Sequence, residues 1–370
     1  MKIAQISPLI ESVPPRLYGG TERIVSYLTE ELVRMGHEVT LFASGDSTTA
    51  AELVSCAGTA LRLDPKVKDQ IPYYMLMMDR VRRMADEFDV LHFHIDHYQF
   101  PMCHHVAGRT VTTLHGRQDI PDLKMLYNAF PDMALVSISD AQRRPVPSAN
   151  FAATVYHGLP NDLHRANLSP TKNYVAFLGR ISPEKRPDRA IRIARAAGIP
   201  LKIAAKVDKA DEEYFRECIK PMIDEGPGVE YIGEINERAK TAFLGNARAL
   251  LFPIDWPEPF GLVMIEAMAC GTPVLAFRSG SVPEIIEDGL SGFIVDTEDE
   301  AVSVLQQTLL LDRRRVRRRF EERFSASRMA ANYVTVYEKL LQRSIGDGMT
   351  LRPSPIRDSM QEKRQAKAFN

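Results

Sequence analysis

Two carboxylates, Glu258 and Glu266, lie eight residues apart in the segment 252–277, FPIDWPEPFGLVMIEAMACGTPVLAF. A Phe-Gly turn separates them and leads into an apolar helix, with Glu258 expected at its entrance. Because an α-helix repeats every ~3.6 residues, Glu266 is expected about two turns further on. Free backbone N–H groups at a helix start stabilise an anion, whereas ionised carboxylates accept hydrogen bonds from hydroxyls. The pattern is typical of a site for a ligand with a phosphate and several hydroxyls. A structural interpretation stays open, in which Glu258 caps the helix and Glu266 faces solvent.

Two cations, Arg180 and Lys185, follow a predicted strand in the run GRISPEKR at 179–186. The carboxyl ends of parallel strands are where such sheets bind ligands. Two cations there can hold a diphosphate and stabilise its charge as it departs. The alternative is a solvated loop in which both side chains pair with Glu184.

A glycine pair and a histidine stand at two further strand ends in the first half of the chain. Gly19 and Gly20 directly precede a predicted helix, where small residues let the backbone approach an anion. His115 follows a strand at 110–114 and can hydrogen-bond a hydroxyl or exchange a proton. Taken alone, the glycines are equally consistent with a plain turn, and the histidine with a structural role.

The chain is long enough for two domains, with 370 residues, of which 45% are hydrophobic and 26% are charged. A net charge of −1 gives no reason to expect nucleic acid as a partner. The four cysteines form no C-x-x-C pair, so neither a disulfide framework nor a cysteine metal site is indicated. The first residues lack the apolar region of a signal peptide, and no stretch approaches ~20 apolar residues. We therefore expect a cytoplasmic protein.

Short apolar strands alternate with amphipathic helices for most of the length, as in doubly wound α/β domains. Strands are predicted at 3–6, 37–43, 90–95, 111–114, 135–138, 154–156, 174–178, 201–205, 229–232, 249–252, 273–277 and 292–295, with helices at 21–35, 187–197 and 325–341. The polar stretch 160–173 breaks this alternation as a linker would, and it predicts a cleft between two domains. The loops at 44–68 and 119–128 carry no readable pattern.

Three motifs together resemble the retaining glycosyltransferases of family four (glycosyl transferases group 1): YGGTE at 18–22, GRISPEKR at 179–186, and EPFG followed by EAMACGTPV within 258–274. The resemblance covers about residues 1–345 in the same order and spacing. It implies the GT-B fold, in which two Rossmann-like domains face each other across a cleft. The expected parts are an acceptor-binding domain at 1–165, a nucleotide-sugar donor domain at 170–325, a helix at 326–345 that crosses back to the first domain, and a mobile tail at 346–370.

The same resemblance implies roles for individual residues. Glu266 is expected to bind the nucleotide ribose, Glu258 and His115 the donor sugar, and Arg180 and Lys185 the diphosphate, with main-chain contacts from Gly19, Gly20, Phe260, Gly261 and Leu262. One loop departs from the family pattern, because HGLP at 157–160 replaces Asn-Gly-Ile/Val-Asp. That change leaves the role of the loop open.

The implied reaction transfers a hexose from a nucleotide-diphosphate sugar to an unidentified hydroxyl acceptor with retention of configuration. A UDP-sugar is favoured over GDP-mannose. No Asp-x-Asp occurs, so we expect neither a divalent metal nor another cofactor. Three alternatives remain: a nucleotide-sugar epimerase, a phosphorylase on the same fold, and a non-catalytic sugar-nucleotide binder.

Two clusters invite further hypotheses. The histidines at 92, 94, 97, 104 and 105 are interpreted as lining the cleft towards the acceptor, with structural and metal-binding roles as the alternatives. The cationic run at 313–319 favours a solvated helix neutralised by neighbouring acids. Its alternative is a peripheral contact with the inner membrane face through Arg313, Arg314, Arg315, Arg317, Arg318 and Arg319.

Overall fold

The computed structural model describes residues 1–16 and 19–346. Within them, the N-terminal strands form one parallel sheet in the order β3-β2-β1-β4-β5-β6-β7. These strands are β1 Lys2–Ile6, β2 Glu38–Ser44, β3 Glu52–Ala57, β4 Val90–Phe93, β5 Thr110–Thr113, β6 Ala134–Ser137 and β7 Phe151–Thr154. The register places Ile3 opposite Val39 on one side and Val90 on the other. The strand order reverses between β1 and β4, which opens a crevice at their carboxyl ends.

The second half builds a smaller parallel sheet in the order β10-β9-β8-β11-β12-β13 among the described residues. Its strands are β8 Val175–Ile181, β9 Leu201–Val207, β10 Val229–Gly233, β11 Leu250–Phe252, β12 Val274–Phe277 and β13 Gly292–Val295. The inner strands β11 and β12 are buried on both faces, and this explains their unbroken apolar sequence. The strand order reverses between β8 and β11, so the second crevice lies there.

Helices cover both sheets. In the first domain they are α1 Gly20–Arg34, α2 Ile71–Met84, α3 Phe100–Cys103, α4 Asp122–Ala129 and α5 Asp140–Arg143. In the second they are α6 Pro187–Ala196, α7 Glu212–Tyr214, α8 Lys220–Asp224, α9 Glu237–Asn246, α10 Leu262–Ala269, α11 Val282–Ile285, α12 Glu298–Leu309 and α13 Arg313–Arg323, followed by α14 Ala326–Gly346. Short 3-10 turns lie at Leu61–Leu63, Ala85–Glu87, His104–Arg109 and Lys209–Asp211, and a π turn at Phe215–Ile219 joins α7 to α8.

The last helix, α14, returns to the first domain. Its Met329 and Tyr333 are buried with Ile3, Ile24 and Leu28 of the N-terminal core. Two α/β domains with a crossover helix are the architecture that the sequence predicted, and the fold class is confirmed. The predicted tail lies outside the described residues from 347 onward.

The two chain segments that pass between the domains run side by side. Leu159 N–H donates to Phe324 O at 2.9 Å, and Ala326 N–H donates to Leu159 O at 2.8 Å. A Cβ on Gly158 would lie 2.3 Å from the Ser325 carbonyl oxygen, so only glycine fits at this crossing.

Two segments expected to be loops contain regular structure. The segment 44–68 holds β3, an edge strand, and 119–128 overlaps α4. Helix α2 was also not predicted. Its buried side contains Met77, Met78 and Val81, but Met75 and Leu76 on its exposed side are apolar too. No apolar stripe therefore stands out from its sequence.

The arginine run on α13 is not one cationic surface. Arg313 is buried and donates hydrogen bonds to the carbonyls of Asn167, Ala247 and Gly245. Arg317 and Arg319 are partly buried and pair with Glu321 and Glu322 respectively. The exposed members are Arg314, Arg315 and Arg318. None of the described helices is long and apolar enough to cross a membrane.

Candidate functional site

A cavity of about 540 Å³ lies between the carboxyl ends of the two sheets. Both domains contribute to its wall, as the reversal of strand order in each sheet predicts. All ten predicted site residues line it: Gly19, Gly20, His115, Arg180, Lys185, Glu258, Phe260, Gly261, Leu262 and Glu266. The structure thus brings the predicted residues together in one place, and their roles stay predictions.

Arg180 lies at the carboxyl end of β8, where the strand order of the second domain reverses. Its guanidinium lies 3.5 Å from an Asp208 carboxylate oxygen and 4.0 Å from one of Asp211. These long pairs differ from the loop alternative, in which Arg180 pairs with Glu184. The Arg180 side chain is 31% exposed and lines the cavity, so an anion there can reach it.

Lys185 and Glu258 form an ion pair inside the cavity wall. The Glu258 carboxylate also accepts a hydrogen bond from Trp256 Nε1 at 2.8 Å, and Lys185 Nζ lies 4.9 Å from the centre of the Trp256 ring. The ring therefore holds both charged groups in place. Lys185 does not pair with Glu184, so that loop alternative is wrong for it.

The loop before α10 brings Glu258 to the cavity. The helix begins at Leu262, so Glu258 stands four residues before it and Glu266 lies in its second turn. The helix therefore begins four residues after Glu258, which was expected at its entrance. Gly261 has φ +81°, a left-handed conformation that favours glycine at this turn. No side chain caps α10, which contradicts a capping role for Glu258.

Glu266 is buried rather than exposed to solvent, which excludes the other structural interpretation. Its Oε1 lies 2.7 Å from Lys240 Nζ on α9. Burial raises the pKa of Glu266, but the charge and hydrogen bond of Lys240, together with the charge of Arg23, outweigh burial and leave that pKa below its ordinary value. The carboxylate is therefore ionised and able to accept hydrogen bonds from a ligand.

Sequence reasoning missed Lys240, Glu237 and Arg23, which all line the cavity. Glu237 pairs with Lys240 at 3.2 Å and with Arg23 of α1, so this pair joins the two domains. Only the three-dimensional contact reveals them, because α9 follows a polar loop and reads as an ordinary surface helix.

One trio of side chains in the described part of the chain has the spacing to share a metal ion. His164, Glu237 and Glu266 each offer an atom within 4.8 Å of the others. The two carboxylates are already neutralised by the ammonium of Lys240 and the guanidinium of Arg23. A divalent ion at this position would approach both cations, and their positive charge therefore disfavours its binding.

The first domain also meets the second at the start of α1. A Cβ on Gly20 would lie 3.7 Å from Leu262 Cδ1 of α10. The N-terminal ends of α1 and α10 therefore approach the same part of the cavity. Two helix starts that share a space favour an anionic group between them.

His115 forms the cavity wall of the first domain, and its ring stacks on His157 at 5.2 Å between ring centres. Its Nε2 lies 2.9 Å from His94 Nδ1. Burial lowers the pKa of His115 to about 3, so its ring is neutral at physiological pH. His157, which replaces the family's asparagine, is buried against the edge of Phe260 at 4.9 Å.

The histidine cluster at 92–105 does not line the cavity, which corrects the expectation that it lines the cleft. His92 is fully buried, with Nε2 2.7 Å from Thr113 Oγ1 and Nδ1 2.7 Å from Tyr337 Oη. His94 is buried behind His115. The structural alternative is thus right for both residues. The remaining three histidines, His97, His104 and His105, also lie outside the wall.

Comparison with known proteins identifies two matching family models. The model of the Glycosyltransferase Family 4 matches residues 18–191, and that of the Glycosyl transferases group 1 matches residues 161–325. Among curated relatives, D-inositol 3-phosphate glycosyltransferase of Mycobacterium marinum (strain ATCC BAA-535 / M) is 33% identical over 147 residues. That alignment covers 38% of this chain and 31% of the relative, so the chain matches about a third of that relative's length.

Two solved structures match nearly the whole chain. AviGT4, a glycosyltransferase involved in avilamycin A biosynthesis, is 25% identical with a TM-score of 0.68, over 92% of this chain and 98% of that one. The Anabaena protein HepE, in complex with UDP and glucose, is 18% identical with a TM-score of 0.68, over 92% and 100% of the two chains. The second likeness concerns the fold alone.

Proposed function

The chain belongs to the glycosyltransferases of family 4 and group 1, and on that premise we propose that it transfers a hexose from a nucleotide-diphosphate sugar to a hydroxyl acceptor with retention of configuration. One observation carries the proposal. The cavity between the domains combines cations at the end of β8 with two carboxylates around the start of α10. A ligand with a diphosphate at one side and hydroxyls at the other matches this arrangement of charge.

In the proposed complex, Glu266 accepts hydrogen bonds from the ribose hydroxyls and Glu258 from those of the sugar. Arg180 and Lys185 bind the diphosphate and stabilise the charge that develops as it leaves. Lys185 is held beside Glu258 and Trp256, so little reorganisation is needed on binding. The sugar passes through an oxocarbenium-like ion pair. The departing diphosphate takes the proton of the acceptor hydroxyl on the same face.

We propose a UDP-sugar as the donor, with GDP-mannose as the alternative. A protein of the same fold has been solved with UDP and glucose, and a UDP-sugar is therefore the first donor to test. The proposed reaction needs no divalent metal, because Arg180 and Lys185 supply the positive charge that stabilises the departing diphosphate. Arg62 and Arg117 line the cavity from the first domain, where we expect the acceptor, and each is paired with an acid, at 2.8 Å with Glu11 and 2.6 Å with Asp119. The acceptor feature expected there is therefore a hydroxyl.

Thermal-shift measurements with UDP-, GDP- and ADP-hexoses test the donor, because a ligand that binds the folded state raises its apparent stability. Glycoside formation by the stabilising donor is then followed by NMR with a panel of hydroxyl acceptors. Product with the anomeric configuration of the donor supports the proposal. Conversion of the donor in the absence of an acceptor would identify an epimerase. Thermal stabilisation by a donor without turnover of any acceptor would identify a binding protein.

A further inference from the structure

The imidazole of His115 is held from behind by a chain of buried hydrogen bonds. Its Nε2 lies 2.9 Å from His94 Nδ1, and His94 Nε2 lies 2.8 Å from Gln5 Oε1. Gln5 in turn contacts His92 of β4 and Tyr337 of α14. Gln5, His92 and Tyr337 have no exposed surface, and His94 is 3% exposed. Water therefore cannot exchange the partners of this chain.

The carboxamide of Gln5 determines which atoms donate and which accept along this series of hydrogen bonds. Its Nε2 carries two hydrogens: one donates to Tyr337 Oη at 3.2 Å, and the other faces His92 Nδ1 at 3.3 Å, whose lone pair it shares with the Tyr337 hydroxyl at 2.7 Å. Oε1 then faces His94 and can only accept, so His94 Nε2 carries a proton. A reversed amide would leave one N–H of Gln5 with no acceptor among the described residues, and burying an unpaired donor costs free energy.

The proton position on His94 determines that on His115. A neutral imidazole has a single N–H, so His94 Nδ1 bears a lone pair. The hydrogen bond between the two rings then requires a proton on His115 Nε2. His115 Nδ1 is left with a lone pair, and it is the ring nitrogen available to a ligand in the cavity. Burial lowers the pKa of His94 and of His115, and both rings therefore stay neutral at pH 7.

We infer that Gln5 and His94 are positioning residues that fix the tautomer of His115, so that the cavity presents a hydrogen-bond acceptor there and selects a substrate bearing a hydroxyl at that point over one bearing a carboxylate. A hydroxyl donates to the Nδ1 lone pair, whereas a carboxylate oxygen has no hydrogen to share and is repelled. The identity of the substrate rests on the proposed function, but the tautomer itself does not.

Nitrogen NMR of the full chain with ¹⁵N-labelled histidine tests the tautomer directly at pH 7. The spectrum of His115→Asn identifies the His115 signals. A protonated Nε2 and an unprotonated Nδ1 are expected. A proton on Nδ1, or on both nitrogens, would overturn the inference. This measurement involves no turnover, so its failure leaves the proposed function intact, and loss of the proposed function would not change it.

Variants of His94 test the consequence for the reaction. His94→Leu removes the acceptor for the His115 N–H, and both tautomers should then be populated. We expect kcat to fall about tenfold, the equivalent of one hydrogen bond, with KM for the donor changed less than about twofold. The preference for a nucleotide-hexose over the matching nucleotide-hexuronate should narrow by a similar factor.

His94→Gln serves as the rescue variant, because its amide can offer oxygen to His115 and N–H to Gln5. It should restore the wild-type spectrum and selectivity, whereas the exposed His105→Leu should change neither. Wild-type selectivity in His94→Leu would overturn the inference. If His94→Leu does not fold, the spectrum of the wild-type chain and the His94→Gln selectivity still decide.

Discussion

Lys240 Nζ lies 2.7 Å from Glu266 Oε1, which joins α9 to the carboxylate that we assign to the ribose. The pair is almost entirely buried, with 16% of the Lys240 side chain and 5% of the Glu266 side chain exposed. A buried carboxylate without a partner would protonate. Lys240 therefore keeps Glu266 in the form that accepts hydrogen bonds.

Replacing Lys240 by Met should make nucleotide binding depend on pH. Burial then dominates at Glu266 and raises its pKa, so the carboxyl gains a proton as the pH falls and loses one acceptor. We expect the affinity for the stabilising nucleotide to drop by about tenfold or more between pH 8 and pH 6, as one charged hydrogen bond is lost. Calorimetric titration at both pH values measures it. The wild type and Lys202→Met, which alters an exposed pair, should show no such drop; an equal drop in all three would contradict the assignment.

Lys185→Met should reduce turnover far more than donor binding. The ammonium is assigned to charge that appears only as the diphosphate leaves, and removing one such group typically costs about 10²–10³ in kcat. Arg180→Ala should act in the same direction. Steady-state kinetics and nucleotide titration on the same preparations separate the two effects. Lys202→Met is again the matched control, and normal turnover in both Lys185→Met and Arg180→Ala would refute the diphosphate assignment.

Treatment with EDTA should leave glycosyl transfer unchanged. His164, Glu237 and Glu266 could hold an ion by spacing alone, but Lys240 and Arg23 already neutralise the two carboxylates. Initial rates are compared after dialysis against EDTA and after adding back Mg²⁺ or Mn²⁺. A loss of more than about tenfold that a metal restores would show that the trio binds a catalytic ion.

The protein should lose stability as the pH falls below 6.5. Burial lowers the pKa of His92, of His94, of His115 to about 3 and of His164 to about 4. The unfolded chain binds protons at these residues from about pH 6.5 downward, and the folded chain does not, so each residue costs up to about 1.4 kcal/mol per pH unit.

Urea unfolding at pH 7.0 and 5.5 measures this loss. His92→Gln should reduce the difference between the two pH values by up to one residue's share, while the exposed His105→Gln should leave it unchanged. A stability that is equal at both pH values would mean that these histidines titrate normally in the folded chain.

Glu284→Ala should lower the thermal midpoint by weakening contact between the domains. The Glu284 carboxylate of the second domain accepts the N–H groups of Asp140 and Ala141 at 2.7 Å each, and the Tyr156 hydroxyl at 3.1 Å. Losing these charged hydrogen bonds should cost about 2 kcal/mol. Scanning calorimetry compares the thermal midpoint of Glu284→Ala with that of Glu287→Ala, whose arginine partners belong to its own domain. A smaller decrease in Glu284→Ala than in Glu287→Ala would argue against this contact.

The sequence predicted the strands well because most are buried on both faces and read as short apolar runs between glycine- or proline-rich turns. β12 was expected at 273–277 and spans Val274–Phe277, while β3 was missed because edge strands alternate only weakly. Of the ten predicted site residues, Phe260, Gly261 and Leu262 came from the family resemblance alone, and the other seven also from helix starts and strand ends; all ten line the cavity. Lys240 and Glu237 were not predicted, since their relation to Glu266 arises only when α9 packs beside α10.

The paired crossings at Leu159 and Ala326 also limit how the two halves can move. Because the two backbone segments are hydrogen-bonded to each other, they act as one hinge between the domains rather than as two independent linkers. Rotation about this hinge widens or narrows the mouth of the cavity, whereas sliding one domain past the other would break both hydrogen bonds. We therefore expect substrate entry and product exit to use the same rotation of the domains, with Gly158 at the hinge.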